Sequence, residues 1–144
     1  MEIEGVDVKH VVTSFLWFDD RILLLRRSEA VGSFAGHWAG VSGYIEEEEE
    51  ATHRARTEIA EETGFMDVKL MSEGKVVLAR GRESNTVWAV HPFIFEVRGG
   101  DVTLDWEHVE YRWIRPEELG NYTTVPKLRE AMESALAGLR ERSS

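Results

Sequence analysis

Residues 43–65, GYIEEEEEATHRARTEIAEETGF, leave the chain little conformational choice. The segment is rich in helix-forming residues, and Gly64 in EETGF suits a helix C-terminal cap. The pattern predicts a helix that begins at Glu48 or Glu49 and stops at Gly64. Ala51, Ala55 and Ile59 recur at i, i+4 and form an apolar stripe for a core. Glu58, Glu61 and Glu62, at i, i+3 and i+4, share one face beside that stripe. Three neighbouring carboxylates repel one another unless a cation neutralises them. A hard divalent ion with oxygen ligands, Mg²⁺ or Mn²⁺, suits them. Such an ion commonly grips substrate phosphates as well, so the segment points to an enzyme acting on phosphate esters or anhydrides.

The flanking chain supplies the rest of a core. HVVTSFLWF (10–18) and RILLLRR (21–27) read as strands of a hairpin turning at 18–20. Residues 28–38 read as a glycine-containing loop and 38–45 as a short strand. Residues 68–80 and 86–97 are expected as two long strands, with a turn at 98–101 and a further strand at 109–114. PEEL (116–119) starts a turn. Residues 125–139 form a second amphipathic helix with Leu128, Met132, Ala135, Leu136 and Leu139 inward, followed by a frayed tail. This predicts an α/β fold, a mixed sheet sandwiched between helices, as one domain over 1–144.

Composition removes several function classes. Cysteine is absent, which excludes disulfides, thiolate metal sites and a cysteine nucleophile. The net charge of −10 argues against nonspecific nucleic-acid binding, yet leaves a nucleotide substrate open because bound metal inverts the local sign. No apolar run approaches the roughly 20 residues of a membrane span. The polar, acidic start is unlike a signal peptide. The expectation is a soluble, cytoplasmic protein with no membrane or nucleic-acid partner.

The segment resembles the box of the Nudix hydrolases: a glycine, five residues, a glutamate, seven residues, then Arg-Glu-apolar-x-Glu-Glu-x-Gly-apolar. Gly43, Glu49, Glu58, Ile59, Glu61, Glu62, Gly64 and Phe65 stand in register. The strand pattern on both sides fits too. One position departs: Thr57 stands where the family has arginine, which there orients a box glutamate. Arg54, four residues before Glu58 and on its face, is the expected stand-in, whereas Arg56 points elsewhere.

The resemblance implies that Glu58, Glu61 and Glu62 ligate Mg²⁺, with the backbone carbonyl of Ser42 as a further ligand and Glu49 orienting the set beside Gly43. It also implies a general base on the loop before a tryptophan-containing strand. Glu107, six residues before Trp113, fits that place; Glu110 competes, and both also suit a solvated face. Arg26 and Arg27 are candidates to reach a phosphate or to pair with surface acids. Trp38 is a candidate for stacking on a base or for packing. Trp17, Trp88 and Trp113 lie in strand patterns and read as core. His37, His53, His91 and His108 show no metal-ligand spacing and read as structural or exposed. Arg80, Gly81 and Arg82 could hold an anionic substrate.

The function implied is Mg²⁺-dependent hydrolysis of a diphosphate linkage in a nucleoside diphosphate joined to another group, such as a nucleoside triphosphate or dinucleotide. The proline of the ADP-ribose branch is missing from 76–81, and the absent cysteine speaks against an isopentenyl diphosphate isomerase. The alternative is a nucleotide-sensing module of the same fold, to which the Thr57 departure would be suited. Homodimers are common in the family, and a homodimer stands as an expectation.

Overall fold

The computed structural model describes residues 5–81 and 85–143, with 141–143 by backbone alone. Strand β1 (Asp7–Phe18) is the axis of an eight-stranded mixed sheet. It runs parallel to β7 (Thr86–Glu96), in register from Asp7 against Thr86 to Trp17 against Glu96. Its other edge is shared. Val11–Ser14 pair with β4 (Val41–Tyr44), and Trp17 and Phe18 pair with β2 (Arg21–Arg27). The expected 38–45 strand is therefore two pieces, because β3 (Trp38–Ala39) lies on β2 before the chain crosses to β1 as β4. β8 (His108–Ile114) closes the far side of β2.

Both faces of the sheet are covered, and period-two alternation divides the apolar residues between them. Val12, Leu16, Leu23, Leu25, Phe93 and Phe95 meet Ala55 and Ile59 of α1 (Ala51–Thr63). Phe15, Ile22, Leu24 and Ile94 meet Leu128, Ala131, Met132 and Ala135 of α2 (Leu128–Ser143). The continuous apolar runs in β1 and β2 follow from burial on two sides. The α/β class, with helices on opposite faces, is as expected from the pattern.

Further boundaries differ from the sequence reading. The expected strand over 68–80 is broken into β5 (Lys69–Glu73) and β6 (Val77–Arg80), which pair with successive stretches of β7. At the break, a Cβ on Gly74 would lie 2.6 Å from the Ser134 backbone, so α2 crosses there in contact with the chain. Helix α1 starts at Ala51, later than expected: Glu48 has φ 64, Glu50 is extended, and Gly64 ends the helix at φ 83 with its N–H on the Ala60 carbonyl. Helix α2 starts after Lys127, whose φ of 66 turns the chain, and continues to Ser143 where fraying was expected. The PEEL turn is the start of a 3-10 helix at Pro116–Asn121.

Candidate active site

The site grows from the contact between α1 and β4. Gly43 has no side chain, and the Glu58 carboxylate lies directly against it; any Cβ there would collide with that side chain. One turn further along α1, Glu62 is 4% exposed. Burial pushes its carboxyl well above the ordinary range, helped by a hydrogen bond with Glu58 and by the charges of Glu58, Asp105 and Glu107. Two adjacent carboxyls in this setting need a proton or a cation between them. Glu61 is exposed. Among the described residues no three His, Asp or Glu side chains are gathered ready to hold a metal. The Glu58–Glu62 pair nevertheless fits a hard divalent cation in donor chemistry and in its unmet charge.

Arg54 organises the helix entrance. Its Nε and Nη2 donate to the two Glu49 carboxylate oxygens at 2.8 and 3.0 Å, and its Nη1 donates to Glu58 Oε1 at 3.1 Å. A longer contact reaches Glu46 at 3.5 Å. The side chain is 16% exposed, so this forked arrangement is shielded from solvent. The guanidinium holds Glu49 below its ordinary range, and Glu49 and Glu58 hold Arg54 protonated. Thr57 plays no part in this network: its hydroxyl donates back to the His53 carbonyl at 3.1 Å. Arg56 points the other way, donating to the Val68 carbonyl at 2.8 Å and lying over the Phe95 ring at 5.1 Å.

A residue that spacing did not single out for chemistry completes the glutamate end. His108, at the start of β8, has a side chain only 2% exposed; its Nδ1 is 2.8 Å from Asp105 Oδ1 and its Nε2 is 3.7 Å from Glu62 Oε1. Expected only as structural or exposed, it is buried between two acids, one of them a candidate ligand. Burial in a β8 that pairs with β2 brings it there, which no linear spacing reveals.

A cleft of about 860 Å³ opens beside this cluster. Ser42, Gly43, Glu58, Glu107 and Arg27 line one part, while Val11, Tyr44, Ala79, Trp88 and Val90 line its floor; Arg80 and Gly81 border it, and Arg82 lies outside the described residues. Arg27 is held by Ser33, whose carbonyl accepts from Nε at 2.9 Å. The Glu107 carbonyl accepts from the Ser28 N–H at 2.8 Å, tying the β8 approach to the loop after β2. Three sequence candidates lie elsewhere. Arg26 is exposed and pairs with Glu110 at 3.5 Å, and Glu110 also holds Arg112 at 3.1 Å, so none of that group lines the cleft. Trp38, for which stacking and packing were both open, packs at 9% exposure in the α2-side core, edge-on to Tyr122. The tryptophan that does face the cleft is Trp88, read from its strand pattern as core. It lines the cleft and lies outside the cluster packed on α2, a tertiary fact.

Comparison with known proteins gives the family. The NUDIX domain family matches residues 8–136. The chain is 31% identical to an RNA pyrophosphohydrolase of Caulobacter vibrioides, over 85% of this chain and 79% of that protein. Its structure is similar to that of a MutT protein from Methanosarcina mazei Go1, with a TM-score of 0.76, 27% identity, and coverage of 99% and 100% of the two chains. A C. elegans Ap4A hydrolase shares the fold at a TM-score of 0.70 and 16% identity, over 94% of this chain and 99% of that one. Among the described residues no helix is long and apolar enough to cross a membrane. With the family match spanning nearly the whole chain, the protein belongs to the Nudix family and is a Nudix hydrolase.

Proposed function

We propose that the protein hydrolyses a diphosphate linkage in a nucleotide, with a nucleoside triphosphate or a dinucleotide as substrate and Mg²⁺ (or Mn²⁺) as the cofactor. The observation that carries this reading is the Glu58–Glu62 pair, in which Glu62 is buried and Glu58 lines a cleft shared with Arg27 and Glu107. Glu58, Glu62 and Glu61 would hold the cation, with the Ser42 carbonyl beside Gly43. When bound, such a cation neutralises diphosphate oxygens and lowers the pKa of water. Arg54 keeps Glu58 and Glu49 in place, taking the orienting role that Thr57 lacks the reach to fill. His108, pinned by Asp105, fixes the position of the Glu62 carboxylate. Glu107 is the residue we assign as general base, because it lines the cleft whereas Glu110 is engaged by Arg26 and Arg112. Arg27 is positioned to meet a phosphate oxygen.

The curated relative acts, by its name, on RNA, and the acidic balance of −10 here favours a small substrate over a polymer, whose phosphates need cationic surface. The test is phosphate or pyrophosphate release from nucleoside triphosphates, dinucleoside polyphosphates, nucleotide sugars and a 5′-triphosphorylated RNA, each with Mg²⁺ and with chelator. Metal-dependent turnover of small nucleotides is expected. Turnover confined to the RNA would replace the substrate assignment, and tight nucleotide binding without turnover would replace hydrolysis with sensing.

A further inference from the structure

We infer that Trp88 and Tyr44 form a stacking platform for the planar ring of the substrate, so that the cleft selects diphosphates that carry a nucleobase. This rests on the hydrolase reading and adds a specificity-determining site to it. The sheet face that carries Phe15 and Ile94 is covered by α2, and the same face continues past the helix into the cleft. Register puts Trp88 beside Lys9 and Ala79, and Val11 between Val90 and Tyr44. The result is an apolar floor that carries two rings. Their centroids are 5.6 Å apart with planes tilted by 49°, and Tyr44 is 59% exposed. The Lys9 ammonium lies over the Trp88 ring, at 5.6 Å. A flexible cationic tip yields to a planar partner, as a packed side chain would not.

The distance to the chemistry fits a nucleotide. Tyr44 is two residues along β4 from Ser42, and Trp88 is four residues along β7 from Pro92, which shares a row with Thr13 and Ser42. At a strand rise of 3.3 Å, the rings lie roughly 7–13 Å from the Ser42 row, where Glu58 rests on Gly43. A ring, a pentose and two phosphates bridge that interval. Inorganic polyphosphate would leave the rings bare. Because stacking reads ring area, the platform favours purines over pyrimidines.

The test compares Trp88→Ala, Trp88→Phe and Tyr44→Ala with the unmodified protein on ATP, CTP and inorganic tripolyphosphate. Loss of one stacking ring should raise KM for ATP by roughly 5- to 150-fold with little change in kcat, and Trp88→Phe should restore most of the loss. Tripolyphosphate kinetics should not move, and ATP should have a lower KM than CTP. Tyr44 is exposed near the end of β4, so its variant keeps the inference testable if Trp88→Ala fails to fold. Nucleotide turnover with KM within twofold in both alanine variants would overturn the platform while leaving the hydrolase reading intact. If no nucleotide is turned over, ATP binding by calorimetry decides: weaker binding in both variants supports the platform, and unchanged affinity overturns it.

Discussion

The two ends of the cleft are built on opposite principles. At the glutamate end the side chains are tied to one another. Arg54 spans Glu49 and Glu58, Asp105 fixes His108, His108 faces Glu62, and Glu58 rests on bare backbone at Gly43. At the floor end the residues are rings and small aliphatic side chains on a sheet face, with Tyr44 half in solvent. The first end is over-determined because catalysis needs groups held to within a fraction of an ångström. The second end presents apolar surface, with Tyr44 exposed. A family that keeps one reaction while changing substrates is served by this division.

Substitutions at the glutamate end should therefore act on rate, and the largest effect is expected for Glu58→Gln. It removes charge from the pair and a partner from Arg54; turnover should fall by about 10³-fold or more, with weakened Mn²⁺ binding by electron paramagnetic resonance. A mild loss would show that the pair is not the metal site. Glu107→Gln should lower kcat by about 10²–10⁴-fold while Mn²⁺ affinity stays intact. An unchanged rate would move the base elsewhere.

Next comes a pair of arginines two residues apart on one helix. Arg54→Ala should cost about 10- to 100-fold in activity or metal affinity, the usual scale for a group that orients ligands. Arg56→Ala should leave the rate alone and lower stability by about 1–2 kcal/mol in urea unfolding, through the lost bond to Val68 and contact with Phe95. Equal catalytic effects would break the contrast between the two sides of α1. The smallest catalytic effect is expected for Trp38→Ala. It should cost about 3–5 kcal/mol of stability, with kcat/KM of the folded protein unchanged. A KM change there would return Trp38 to the substrate.

Much of this was readable before the fold was known, and the exceptions share a cause. The helix that Gly64 ends, its apolar stripe, and the face shared by Glu58 and Glu62 are local and periodic, so spacing reveals them, although the helix starts at Ala51 rather than in the 40s. Arg54 was legible too, since i, i+4 on a helix fixes adjacency to Glu58. What was not legible depends on chain segments meeting from far apart. His108 reaches Glu62 because β8 pairs with β2. Trp38 is buried and Trp88 faces the cleft because α2 covers one part of a sheet face and leaves another bare; both tryptophans look alike in a strand pattern. The split of 68–80 required knowing that α2 crosses at Gly74.

Metal-dependent chemistry at the Glu58–Glu62 pair is the central claim. The decisive measurement is phosphate or pyrophosphate release from ATP as Mg²⁺ is titrated, for the unmodified protein and for Glu58→Gln side by side. The account predicts turnover that rises with Mg²⁺, vanishes with chelator and is lost in the variant. Turnover that is independent of Mg²⁺, or that survives in Glu58→Gln, would contradict it.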